Sequence, residues 1–460
     1  MRGCPVVVAG RAAMLAILAG SAVACGTDVD PTGVVNSGTL VAVAEVGGWA
    51  LPGVRFVATG PSGTITLTSD DEGHAEAQGI VPGRWTVQVD AIDPDAQLDA
   101  SVVEVTVAAE SSDTARVTGV FEPGRFTTVA VGNASICGLN ESRNPYCWGL
   151  GEFGELGVGQ PGRSARPVRA RAPEPLVDLV AGSLHICGLG ESGAAYCWGL
   201  NAGGRLGTGE PETVAPFRTL PTAVAGGLSF SELVAGVSSV CGLETGTGRA
   251  WCWGSATDGQ LGNGEQSGSR EMPVAVATDE RFVALQSKEL WAGPRAVAAR
   301  TEDGRVFVWG ASPDEGPSWL GYAGATPVEV PLPGPATAST SVCAQLDAGV
   351  LCWPVLTGDV PPEVLGVLTP TADMSIRTYD TDALDPAFFE GGFHCRRDAG
   401  AYACTDAWAF PLPDLDFDGE TAVDVATFGR GGCAVTDTGR VWCWRGDFFE
   451  AFLAAGPGSA

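Results

Sequence analysis

The sequence predicts an all-β chain in which a small sandwich precedes a larger body of repeats, and three observations predict it. Positions 147, 197, 252, 308, 352, 404 and 443 lie at one place in seven similar strand-turn-strand units, spaced 50, 55, 56, 44, 52 and 39 residues apart. A lone β unit of this size cannot bury its own apolar face, so such units build a propeller or an array. Residues 38–122 show a different texture, short alternating apolar runs broken at close intervals by turn clusters. Finally, 65 glycines among 460 residues, with only 17% charged side chains, describe a turn-rich chain long enough for two or three domains.

Charge limits the partners. Acidic residues outnumber basic ones 54 to 26, for a formal net charge of −28, and Lys288 is the only lysine. Such a field repels phosphate backbones and anionic lipid heads, which excludes nucleic acid as a partner.

The chain opens with Arg2 and Arg11 and then an apolar or small run from Ala12 to Cys25, with no acid before Asp28. About 20 such residues are needed to cross a bilayer, so the run is too short to span and residues 1–24 read as a secretory signal. Ala22-Val23-Ala24-Cys25-Gly26 resembles a bacterial lipobox, which implies cleavage after residue 24 and lipidation of Cys25. A secretory cut near Ala24, with Cys25 incidental, is the alternative. Gly26 is not the Asp of an inner-membrane retention signal, so the resemblance implies the outer membrane. The mature chain keeps 24 bases against 54 acids, a net charge of −30. Its membrane contact is then the lipid anchor alone.

Residues 25–37 form a lipidated, polar tether interrupted by Gly and Pro. Strands are expected at Leu40–Val46, Val54–Thr59, Thr64–Thr68, Trp85–Val89, Val102–Val107 and Ala115–Val120, with His74 in a turn. This pattern predicts an antiparallel sandwich over 38–122. The stretch from LPGVRFVATGPSG to GRWTVQVDA resembles carboxypeptidase-regulatory-like, transthyretin-like domains, which implies a stalk. Some such domains carry a Lys–Asn cross-link, but no lysine lies here.

In the repeat body the cysteines form six couples: Cys137/Cys147, Cys187/Cys197, Cys241/Cys252, Cys343/Cys352, Cys395/Cys404 and Cys433/Cys443. Each couple flanks a turn-rich centre, and in five of the six a Trp follows the second Cys. Facing residues of a tight hairpin bring their side chains within disulfide reach, so six intra-hairpin disulfides are expected. A seventh copy places Ala298 and Val308 where the cysteines would be, so the bond is reinforcement. Zinc is disfavoured by three histidines in all and no CxxC.

Further signatures recur. Gly154-Glu155-Leu156-Gly157, Gly204-Arg205-Leu206-Gly207 and Gly259-Gln260-Leu261-Gly262 follow the Trp-Gly, and Pro-Val pairs such as Pro167-Val168 and Pro273-Val274 come later. The order Gly, Cys-x-Leu, turn, aromatic-Cys-Trp-Gly, GxLG, Pro-Val resembles the regulator of chromosome condensation repeat family in its cysteine-paired exported form. The likeness covers about 125–450 and fades in the fifth and sixth copies, which lack GxLG. It implies a seven-bladed β-propeller over 123–460, preceded by a small Ig-like β-sandwich.

Chemistry finds little support. There is no GxSxG, and His185 holds the place taken by Ser135, Ser239 and Ser341 in sister copies, which points to packing. Asp414, Asp416 and Asp418 match the start of a calcium loop with Gly419 at its sixth place, yet Val425 stands where a closing Glu is needed. They are the weak metal candidates, and no cofactor is expected beyond that calcium. Arg445-Gly446-Asp447 spells an adhesion tripeptide where the repeat's Trp-Gly falls. The expectation is a monomeric, non-enzymatic lipoprotein scaffold of the cell envelope, binding a protein or other envelope macromolecule. The alternatives are an inhibitor of a secreted enzyme or a glycan-binding module. Six of the 13 tryptophans belong to the repeat, which leaves few as sugar platforms.

Overall fold

The computed structural model describes residues 37–70, 72–93, 95–133, 135–289, 295–310, 324–330, 332, 334–339, 343–346, 349–352, 393–398, 401–406, 419–428, 431–445 and 448–455. The chain divides into two compact units, Met1–Glu122 and Pro123–Ala460.

In the first unit two sheets share one core. Strand Gly38–Val46 pairs antiparallel with Trp49–Ala50 and with His74–Ile80, and parallel with Ser112–Phe121. The second sheet runs Gly63–Thr68, Arg55–Gly60, Gly83–Ala91, Val102–Val107. Leu40, Phe56, Leu67, Trp85 and Val87 fill the space between them. The buried indole of Trp85 donates to the carbonyl of Val81 at 3.1 Å, so its one polar atom is satisfied. Two expectations are corrected. The Gly38–Val46 and Ser112–Phe121 pairing is parallel. His74 opens a strand whose inward residues are Ala75 and Ala77, a weak strand signal because alanine has little β-propensity.

The second unit is a series of antiparallel sheets, seven among the described residues. The first is Phe126–Val131, Ser135–Asn140, Pro145–Gly151, Gly162–Arg169. The second is Leu176–Ala181, His185–Gly190, Ala195–Leu200, Phe217–Ala223. The third is Phe230–Ala235, Ser239–Glu244, Ala250–Ser255, Ser269–Ala275, and the fourth Phe282–Glu289, Arg295–Thr301, Val306–Gly310, Val328–Glu329. Shorter described sheets follow at Ala336–Ser339, Cys343–Leu346, Gly349–Cys352, and at Phe393–Asp398, Ala401–Asp406. The last is Ala422–Phe428, Gly431–Thr436, Val441–Arg445, Phe448–Ala455. Phe448–Ala455 therefore completes the final sheet, and Phe126–Val131 opens the first.

The cysteines of each couple face each other in register across the second and third strands. Disulfides join Cys137–Cys147, Cys187–Cys197, Cys241–Cys252 and Cys433–Cys443, with Cα–Cα distances of 4.0 to 4.1 Å. That spacing is the narrow pair of an antiparallel ladder. Ala298 and Val308 occupy the same facing register without a bond. The side chains of Cys343, Cys352, Cys395 and Cys404 lie outside the described residues. Closing a loop of about ten residues is worth about 2–3 kcal/mol by chain entropy. Cys187→Ala/Cys197→Ala should lose that much in urea unfolding at an unchanged m-value, and a loss below about 0.5 kcal/mol would show that the hairpin persists in the unfolded chain.

Successive sheets are stitched by the GxLG turn and the next tryptophan. Trp198 Nε1 donates to the carbonyl of Glu155 at 2.8 Å, Trp253 Nε1 to that of Arg205 at 3.1 Å, and Trp309 Nε1 to that of Gln260 at 3.1 Å. Leu156, Leu206 and Leu261 are fully buried beneath these turns. The last glycine of each motif is required twice over. Gly207 has φ +65°, and a Cβ there would lie 2.7 Å from Trp253 Cδ1.

The first strands of neighbouring sheets lie side by side, from Phe126–Val131 through Leu176–Ala181 and Phe230–Ala235 to Phe282–Glu289. Ala422–Phe428 packs back against Phe126–Val131. Across that junction Phe126 N donates to Gly439 O at 3.0 Å, and Arg125 Nη2 to Asp437 O at 2.6 Å. The series of sheets thus returns on itself, with first strands innermost and fourth strands at the rim. In three of the fourth strands a bulge contains Pro167, Pro221 or Pro273, residues with no N–H to offer a further strand.

Candidate functional site

The innermost strands carry the feature that gathers polar groups. Each begins with a buried residue, Phe126, Leu176, Phe230, Phe282, Ala336 or Ala422, and slips register by one residue immediately after it. A bulge adds one residue and re-aims side chains. The inserted residues Thr127, Val177, Ser231, Val283, Thr337 and Val423 are all exposed, the three valines at 44%, 48% and 52%. They are uncharged, five of six are β-branched, and they occupy the same place on adjoining strands.

One residue further on stand Asp178, Glu232 and Asp424, half-buried. Asp424 Oδ2 accepts from Val129 N at 2.8 Å, and Glu232 Oε2 from Leu285 N at 3.0 Å, each from the neighbouring sheet. Asp178 Oδ1 accepts from its own strand, Leu179 N at 2.8 Å. Burial pushes Asp178 up to about 6 and Glu232 up to about 7 despite those N–H donors, with Asp424 raising the first and Asp178 the second. Arg300 lies near enough to oppose the rise at Glu232, and its Nε is buried without a hydrogen-bond partner. Asp178 therefore feels Asp424, and Glu232 feels both Asp178 and the Arg300 guanidinium.

A second set of carboxylates clamps the outer hairpins. Glu174 accepts from Ser192 and the Tyr196 hydroxyl, Glu280 pairs with Arg305, and Glu420 binds Thr436, Trp442 Nε1 and Arg440. Hydrogen bonds from Ser192 and from Arg305 hold Glu174 and Glu280 below the usual carboxylate range. Each stands two residues ahead of an innermost strand and ties it to the hairpin of its own sheet.

His185 is fully buried at the start of a second strand, both ring nitrogens without hydrogen-bond partners. A Cβ on Gly182 would meet its Cε1 at 2.1 Å. Burial and then the charge of Arg205 hold the imidazole well below its usual range. It faces packed backbone at Gly182. Cys25, Asp414, Asp416 and Asp418 lie outside the described residues. Among the described residues no three His, Cys, Asp or Glu side chains are placed to hold a metal ion.

Sequence reasoning missed the axial acids and the clamps. The signal was present: Leu176-x-Asp178, Phe230-x-Glu232 and Ala422-x-Asp424 align once the copies are superposed on their first strands instead of on their cysteines.

Residues 176–205 and 247–286 match the Regulator of chromosome condensation (RCC1) repeat. Among solved structures, the CRINKLY WD40 ectodomain of the Arabidopsis thaliana receptor kinase ACR4 is similar over 73% of this chain and 99% of its own, at 21% identity and a TM-score of 0.43. Prp20p from Saccharomyces cerevisiae, described with its binding to Gsp1p and histones, is similar over 72% and 77%, at 16% identity and 0.39. Human WBSCR16 is similar over 91% and 82%, at 14% identity and 0.39.

Proposed function

We propose that the repeat body is a seven-bladed ring of regulator of chromosome condensation repeats whose axial face binds another protein. In this reading the ring is a non-enzymatic scaffold, displayed outside the cytoplasm as a lipoprotein anchored at Cys25, with the 38–122 sandwich as spacer. One observation carries it: six equivalent bulges turn uncharged residues, Val177, Val283 and Val423 among them, out to solvent around one axis. A chain of net charge −28 has acidic residues to spare for a surface that only needs solubility, so an uncharged circle there fits a contact surface. The repeat tryptophans Trp148, Trp198, Trp253 and Trp309 are buried, which favours protein over sugar as the ligand.

The test is affinity capture from envelope extract on the full-length protein, followed by hydrogen exchange on the complex. Protection of 126–128, 176–178, 230–232, 282–284 and 422–424 is expected, and Val177→Arg/Val283→Arg should abolish capture while the melting temperature holds. Capture that survives this variant, or protection confined to the rim, would overturn the axial reading.

A further inference from the structure

We propose that Asn263 is a modification site, a residue that deamidates spontaneously once the third and fourth sheets part. Asparagine is among the thermally labile residues, and Asn263-Gly264 is the one Asn-Gly pair in the sequence. A glycine brings no Cβ to hinder its own nitrogen, so this pair is the chain's readiest route to a succinimide. It stands directly after the third GxLG turn, where the first two copies carry Val158-Gly159 and Thr208-Gly209. In all three copies that further glycine donates its N–H to the next sheet's fourth strand or to the residues just ahead of it. Gly159 N donates to Thr219 O at 2.8 Å, Gly209 N to Glu271 O at 2.7 Å, and Gly264 N to Ala325 O at 2.7 Å, just ahead of Val328–Glu329.

Deamidation needs that nitrogen. Gly264 N must lose its proton and attack Asn263 Cγ, closing a ring as the Cγ–Nδ2 bond breaks and ammonia leaves. Water then opens the ring to aspartate or isoaspartate. In the folded chain the N–H is given to Ala325, and both ends of the amide are held by the residue beyond. Asn263 Nδ2 donates to Glu265 Oε2 at 2.8 Å, and Asn263 Oδ1 accepts from Glu265 N at 3.1 Å. Asn263 is only half-buried and Gly264 is exposed, so water reaches the pair and the hydrogen bonds are the restraint. The reaction undoes that restraint. A carboxylate at 263 has no proton to give Glu265 and sets a second negative charge beside it, so the Arg270 that pairs with Glu265 must serve two acids. The mark records that the junction has opened and keeps it from closing as before.

The test holds the full-length protein in mildly alkaline buffer, digests it with trypsin after reduction, and weighs the peptide 250–270 for exchange of an amide for an acid. Deamidation at Asn263 should be about tenfold or more slower in the native chain than in strong guanidinium. Across sub-denaturing guanidinium it should climb in step with hydrogen exchange at Gly264, because one opening frees both. Gly259→Ala puts a Cβ 2.8 Å from Ala325 Cα, which pushes the acceptor away and should speed deamidation toward the unfolded rate. Gly154→Ala places the same strain at Thr219, between the first two sheets, and should leave Asn263 near its native rate. Equal rates in the native and unfolded chain, a rate indifferent to exchange at Gly264, or an acceleration by Gly154→Ala as large as that by Gly259→Ala overturns the inference.

Discussion

Replacing Trp253 with alanine is expected to lower the stability of the repeat body by about 3–5 kcal/mol, the range for emptying a buried aromatic site. The indole is fully buried, packs against Phe230 at 5.8 Å between ring centroids, and donates to the Arg205 carbonyl of the preceding sheet. Truncation removes apolar area, leaves that carbonyl without its donor and opens the shelf above Gly207. Gly207→Ala attacks the same junction from the other side. Its Cβ would overlap Trp253 while the backbone sits at φ +65°, so a loss of similar size is expected. Because the two residues touch, the double variant should cost clearly less than the sum of the singles. Urea unfolding of the four proteins measures this, and additive losses would show that the turn and the indole are not one unit.

Acid should weaken the junction that holds His185. The imidazole is neutral and without hydrogen bonds in the folded chain, and its pKa there lies well below 6.5. The unfolded chain takes up a proton near 6.5, so stability is intact above that pH and is lost as pH falls below it. At most about 1.4 kcal/mol goes with each pH unit, about 2 kcal/mol by pH 5. The charges facing it are Arg205, which adds to the penalty, and Glu155, whose Cγ lies near the Gly199 and His185 backbone and whose carboxyl is itself raised by burial. Asp178 and Glu232 act with the opposite sign. Their folded pKa values are raised to about 6 and about 7, so their contribution is present at low pH and lost as pH rises through those values. His185→Ser, which installs the residue found at Ser135 and Ser239, leaves the acids in place. The difference between wild type and variant should therefore fall steadily from pH 7 to pH 5. A difference that stays flat would mean that protonation is accommodated in the fold.

The repeat was legible because cysteines, glycines and tryptophans have narrow structural uses. Cys187 and Cys197 at matched distance from a turn imply a hairpin, and Gly-x-Leu-Gly implies a tight turn over a buried leucine. The axial acids were not legible. Asp178 looks like any charged residue in an alternating strand, and the register slip after Leu176 that re-aims it leaves no mark in the local pattern. The parallel pairing of Gly38–Val46 with Ser112–Phe121 was hidden for a similar reason. Local pattern marks a strand, but its neighbour is chosen by the whole sheet.

The prolines of the rim have a consequence for life at high density. Proteins at high concentration meet sideways, edge to edge, again and again, and an open strand with a full row of amides would let such meetings become permanent. Pro167, Pro221 and Pro273 interrupt that row on three successive sheets, so copies that meet sideways find no continuous ladder to extend and drift apart again.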